Sequence, residues 1–140
     1  MHRRGNFSMN NLLLDTCAVL WLAQGVKLAS DARNAITGGK LHVSPITAWE
    51  VALLARKRKI AFTMPVVKWF RETIELIEAT TPELTAEILA SSCELPGSPP
   101  DDPADRILIA TAREGQMVLL TRDKLILAYS REGYVRTMVC

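Results

Sequence analysis

A chain of 140 residues with 49% hydrophobic and 23% charged side chains has the size and make-up of one globular domain, which excludes a disordered chain and a two-domain one. The 17 basic and 15 acidic residues leave a net charge of +2, which permits a polyanionic partner without implying one. No run of about 18 apolar residues reads as a membrane span, and Cys17, Cys93 and Cys140, far apart and in no C-x-x-C spacing, suggest neither a disulfide framework nor a zinc site.

Residues 1–10 are polar and are expected to form a flexible tail, with Met9 offering an alternative start. The tail carries Arg3 and Arg4 but no apolar core of a secretory signal, so the cytoplasm is the expected compartment. Leu12–Leu14 follows as an apolar run without polar alternation, the pattern of a strand buried on both faces of a parallel sheet. Asp15 interrupts it, and the apolar run resumes as a helix over Thr16–Ala23 that ends near Gly25. Ser30 is expected to cap a short helix through Ile36, with Gly38 and Gly39 as its stop.

Leu41–Val43 reads as a second strand, and Ser44-Pro45 opens a helix with Ser at the cap and Pro in the first turn. That helix carries one acid, Glu50, and runs into the basic stretch Arg56–Lys59. The next helix, near Pro65–Leu76, aligns Val67, Phe70, Ile74 and Ile77 on one stripe and sets Lys68 with Glu72, and Arg71 with Glu75, at i, i+4. Ile77–Thr80 is a candidate strand, and Thr81-Pro82 repeats the cap-and-Pro signal for a helix reaching Ser92. Leu95–Pro100 is a loop. Asp102-Pro103-Ala104-Asp105 then opens a helix that ends at Gly115, Met117–Leu120 is an apolar strand followed by Thr121-Arg122-Asp123, and a helix over Lys124–Tyr129 leads to a last strand near Tyr134–Met138. The alternation predicts a single α/β domain over 11–140 with a mostly parallel sheet flanked by helices.

Four acids stand where strands end or helices begin. Asp15 terminates a buried strand, where open α/β sheets bind ligands, although capping the next helix would also account for it. Glu50 is more informative: Ile46, Thr47, Leu53 and Leu54 occupy its helical neighbour positions, so no nearby cation explains it. It calls for a metal, a distant cation or a proton. Asp105 has apolar residues at i+3 and i+4, though a first-turn acid also suits the helix dipole. Asp123, between Arg122 and Lys124, gains weight from following an apolar strand as Asp15 does. Brought together where strand order reverses, the four would repel one another without a counter-ion, and hard oxygen donors suit Mg²⁺ or Mn²⁺.

Other chemistries have little support. Neither G-x-G-x-x-G nor G-x-x-x-x-G-K-[ST] occurs, and a Ser/His/Asp or Cys/His mechanism would rest on His42 alone. An aspartate-based phosphatase lacks the second acid two residues after Asp15. Trp21, Trp49 and Trp69 sit in apolar helical runs and read as core or interface residues, and Arg56–Lys59 as a solvated helix end before a nucleic-acid contact.

Three segments, LLLDTCAVLWLA at Leu12–Ala23, VSPITAWEVALLARKRKI at Val43–Ile60 and DPADRILIATAREGQMVLLTRD at Asp102–Asp123, together resemble the PIN-domain ribonucleases, and in particular the VapC-type toxins of bacterial toxin–antitoxin pairs. The resemblance implies a PIN fold and metal-dependent endonucleolytic cleavage of RNA. It places the family's catalytic and metal-binding quartet on Asp15, Glu50, Asp105 and Asp123, with Asp15 and Asp105 as direct ligands and Glu50 and Asp123 completing or orienting the shell. Mg²⁺ or Mn²⁺ as cofactor, an RNA substrate, a cognate antitoxin protein and a homodimer are implied with it. Cys17, where relatives often carry His, and Ser98–Asp101, which replaces a more polar approach to the Asp-Pro, depart from the pattern in ways that bear on substrate preference. A non-catalytic α/β module that docks RNA or protein is the alternative.

Overall fold

The computed structural model describes residues 11–140; the expected tail and Met9 lie outside them. A four-stranded sheet of order β2-β1-β3-β4 forms the centre, built from β1 (Asn11–Leu14), β2 (Lys40–His42), β3 (Val118–Thr121) and β4 (Arg136–Val139), with every neighbouring pair parallel. The chain moves from β1 to β2 on one side, then crosses to β3 on the other, so strand order reverses between β1 and β3. Parallel strands need crossovers, and helices supply them. They are α1 (Thr16–Gln24), α2 (Ser30–Gly38), α3 (Ile46–Arg56), α4 (Val66–Leu76), α5 (Ala86–Ser92), α6 (Pro103–Gly115) and α7 (Lys124–Ser130).

The apolar runs of β1 and β3 are covered on both faces. Leu13 and Leu119 point into a core with Ile88, Leu108, Ile109, Ile126 and Tyr129 from α5, α6 and α7. Leu12, Leu14, Val118 and Leu120 point the other way, into a core with Val19 of α1 and Ala32 of α2, against which Trp69, Phe70 and Ile74 of α4 pack. Truncating one of these central leucines leaves a cavity walled by both strands and helices. Leu119→Ala is expected to cost about 2–5 kcal/mol, read as a drop in the urea midpoint with an unchanged m-value.

Several predicted boundaries moved for physical reasons. Gly25 ends α1 with φ 75°, as expected of a left-handed cap. Ser30 does not cap α2: the cap position is Ala29, with no side-chain hydrogen bond, and Ser30 is already helical. Ser44 lies one residue before the cap of α3, which is Pro45, and its hydroxyl accepts from the Ile46 amide at 3.1 Å. The basic stretch leaves the helix after Arg56, and Arg58 adopts φ 60° in the exposed turn that follows. Ile77–Thr80 forms no strand but one parallel bridge from Thr80 to His42, at the edge beside β2.

The helix predicted from Thr81-Pro82 starts instead at Ala86, with the Thr85 hydroxyl capping the Ile88 amide at 3.1 Å. Val67 lies exposed rather than on the buried stripe of α4, where Trp69, Phe70, Ile74 and Ile77 do the packing. Among the described residues neither Lys68 with Glu72 nor Arg71 with Glu75 closes an ion pair, in keeping with the small worth of such pairs in water. Trp21 and Trp69 pack on the second core as expected, whereas Trp49 is 53% exposed. No helix among the described residues is long and apolar enough to cross a membrane.

Candidate metal centre

The reversal of strand order leaves a crevice at the carboxyl ends of β1 and β3, where ligands bind in open α/β sheets. Leu14 pairs with Leu120, and the Asp15 amide continues the ladder by donating to the Leu120 carbonyl at 3.1 Å. Asp15 therefore emerges opposite Thr121. Its Oδ1 accepts from the Ala18 amide at 2.9 Å, and its Oδ2 accepts from the Thr121 hydroxyl at 2.5 Å. The capping explanation thus holds, and it uses only one of the two carboxylate oxygens. Thr121 also accepts from the Asp123 amide at 2.9 Å, which fixes the turn after β3. Asp123 in turn caps α7 through Oδ1, which accepts from Leu125 and Ile126 at 2.9 and 3.0 Å.

Glu50 reaches the same crevice from α3. The group that receives it is the Thr16 hydroxyl, which donates to Glu50 Oε1 and lies 3.3 Å from the Thr47 hydroxyl. Asp105 arrives from the first turn of α6, where Asp102 is the cap and accepts from the Ala104 amide at 3.2 Å. A cavity of about 340 Å³ is lined by Asp15, Glu50, Asp105 and Asp123, all four of the predicted acids. Asp102 and Arg122 line it as well, and neither had been singled out. Asp102 was hidden because an N-cap fully explains an Asp before a Pro; Arg122, flanked by polar residues after a strand, reads as a solvated loop cation.

Electrostatics mark the cavity as short of positive charge. Burial, followed by the neighbouring carboxylates of Asp102, Asp123, Glu50 and Asp15, pushes Asp105 up to about 7. Asp15 and Glu50 are likewise raised, chiefly by burial, with their threonine hydrogen bonds acting in the opposite direction. No cation figures among the groups acting on any of the three. The Cys17 thiol, at the cavity wall, is also pushed up by burial and by the same acids.

The donors fit a hard divalent cation in kind: every one is a carboxylate oxygen, and they are unneutralised and converge on one space. They do not stand as a finished ligand set. Among the described residues no three His, Cys, Asp or Glu side chains are already gathered so as to hold one ion.

Residues 12–132 match the family model described as PIN domain. The chain is 36% identical over 118 residues, 83% of its own length and 89% of the other protein's, to Ribonuclease VapC22 of Mycobacterium tuberculosis (strain ATCC 25618 / H37Rv). Among solved structures it resembles VapBC2 from Rickettsia felis bound to a DNA fragment from its promoter, with TM-score 0.63 and 12% identity over 92% of this chain and 98% of that one. It also resembles DNA-bound VapBC from Salmonella typhimurium, with TM-score 0.60 and 15% identity over 92% and 97% of the two chains. At such identities the structural likeness is one of fold. The strand order, the crevice at its reversal and the sequence match over nearly the whole described chain together place this protein in the PIN-domain family.

Proposed function

We propose that the chain is an endoribonuclease of the VapC type, the toxin of a toxin–antitoxin pair, and that its cleavage of RNA depends on Mg²⁺ or Mn²⁺. The observation that supports the metal requirement is the convergence of Asp15, Glu50, Asp105 and Asp123 on one cavity where burial and neighbouring acids, with no cation among the main causes, raise Asp15, Glu50 and Asp105. The endoribonuclease reading rests on the 36% identity to a protein named as a ribonuclease, over most of both chains. The likeness to VapBC complexes supports a partner antitoxin, and we extend the reading to a cytoplasmic homodimer acting on RNA.

Asp15 and Asp105 would hold the ion directly, with Glu50 and Asp123 completing or orienting the shell. A divalent ion supplies a more acidic water and polarises the phosphoryl group. The chain's own residues prepare for it. Thr121 and the Ala18 amide fix the Asp15 carboxylate in orientation. Thr16 does the same for Glu50 from a position 34 residues away in sequence. Caps on α6 and α7 hold the backbone from which Asp105 and Asp123 project. Against a non-catalytic module that docks RNA stands the cost of the arrangement: such a surface has no use for half-buried carboxylates that repel a polyanion.

The test is cleavage of structured RNAs by the purified protein in Mg²⁺ or Mn²⁺ against EDTA, joined to growth on induction. Metal-dependent cleavage, with growth arrest relieved by the neighbouring open reading frame, is expected. Absence of metal-dependent cleavage of every RNA offered would sink the enzyme reading, and growth that proceeds normally would sink the toxin assignment.

A further inference from the structure

Arg122 is the single cation among the described residues that line the carboxylate cavity. It projects from the turn between Thr121, which holds Asp15, and Asp123, which caps α7. Although exposed, it is pinned at two points. Its guanidinium carbon lies 4.1 Å from the centroid of the Trp21 ring on α1, and one terminal nitrogen donates to the backbone oxygen of Cys140 at 3.0 Å, just past β4. Neither contact is to an acid of the cavity. A guanidinium beside several uncancelled acids would be expected to neutralise one of them, yet Arg122 stacks on Trp21 instead, and among the described residues it closes no ion pair with an acid of the cavity.

The consequence is a fixed positive charge on the wall of a negative cavity, with N–H donors left over for a third group. A phosphodiester entering this cavity meets repulsion from the acids unless something on the wall receives it. Arginine suits the task, since its planar fork matches phosphate oxygens and it stays charged at any physiological pH. We propose that Arg122 is a phosphate-binding residue of this site, holding a phosphate group of the RNA backbone while Trp21 holds the guanidinium. This rests on the endoribonuclease reading, which supplies the polyanion. A purely structural role, tying the turn after β3 to α1 and to the segment after β4, is the competing account.

Two measurements separate them. In the first, steady-state cleavage of a random-sequence RNA pool in Mn²⁺ is compared for the natural protein, Arg122→Ala, Arg122→Lys and Trp21→Leu. Arg122→Ala is expected to lower kcat/KM by about 10- to 100-fold, mainly through KM. Arg122→Lys recovers part of the loss, and Trp21→Leu shows an intermediate one with its charge intact. In the second, binding of a fluorescein-labelled random-sequence RNA is followed by anisotropy in an Asp105→Asn background between 50 and 200 mM KCl. Adding Arg122→Ala is expected to reduce the slope of log affinity against log salt by about 0.7, the value for one lost contact to single-stranded phosphate.

A structural tie alone would lower the melting temperature and leave the salt slope unchanged. An unchanged slope, or an unchanged kcat/KM in Arg122→Ala, overturns the proposal. If the natural protein cleaves nothing, the endoribonuclease reading fails by itself, and the salt slope still decides whether Arg122 meets phosphate.

Discussion

Asp105→Asn is expected to lower metal-dependent RNA cleavage by on the order of 10³-fold while making the metal-free protein more stable to heat. The two effects have one cause. Asp105 is half-buried, its carboxylate accepts no hydrogen bond among the described residues, and four neighbouring acids act on it in the same unfavourable direction. Asparagine keeps the shape and removes the charge, relieving that repulsion and deleting a proposed ligand at once. Asp15→Asn should be as inactive without the gain in stability, because both Asp15 oxygens already have hydrogen-bond donors that favour the charged form. Initial rates in Mn²⁺ and thermal melts in EDTA, both at pH 8, check the pair. An Asp105→Asn protein that cleaves at the natural rate would remove this carboxylate from the chemistry.

The second large effect is a pH dependence that a metal reverses. Asp105 rises from an ordinary 3.8 to about 7 in the folded chain, so between those values the fold binds a proton that the unfolded chain has released. Its stabilising contribution is complete below the lower value and lost as pH climbs through the upper one. Asp15 and Glu50 shift in the same direction and add to the loss. His42 works the other way: burial, then Lys40, lowers it, so it disfavours the fold as pH falls through the histidine range. The informative quantity is therefore the difference between the natural protein and Asp105→Asn, melted in EDTA from pH 5 to pH 8. That difference should widen toward pH 8. Millimolar Mg²⁺ should raise the melting temperature of the natural protein far more at pH 8 than at pH 5, since protons compete for the same oxygens. A metal-induced shift equal at both pH values would mean that the ion binds elsewhere.

The parts of the fold legible in the sequence were those set by local and strongly patterned physics. Leu12–Leu14 and the run ending at Leu120 had to be strands covered on both faces, and Leu12–Leu14 and Val118–Leu120 are buried at the centre of the sheet, with Met117 left just outside it. Asp102-Pro103 starts a helix as such a pair does, whereas after Ser44-Pro45 the helix begins only at Ile46, with Pro45 at the cap position. Glu50 stood out because no cation lay within helical reach, and the structure supplies none, only the Thr16 hydroxyl.

What was not legible depended on tertiary choices between equal local signals. Thr81 and Thr85 are both competent caps, and the chain uses the second because the preceding segment is drawn out along the sheet edge by the Thr80 bridge to His42. Val67 fits the apolar stripe by spacing, yet Trp69 packs on the core and Val67 is left exposed. Asp102 and Arg122 each had a sufficient local explanation, so nothing in the sequence pointed beyond it. Only the crevice shows that they share a wall with the four acids.

The pairing of β1 with β3 also sets a schedule for synthesis. The Thr121 hydroxyl that holds Asp15 is 106 residues downstream, and every hydrogen bond between these two central strands waits for the same stretch of chain. Non-local pairing of this kind forms late, after the loop between the partners has been made and closed. A nascent chain that has not yet delivered β3 holds Asp15 and Glu50 but lacks the edge that orients Asp15 and lacks Asp123 altogether. With the site proposed on these acids, a translation product interrupted before β3 is expected to be inert toward RNA.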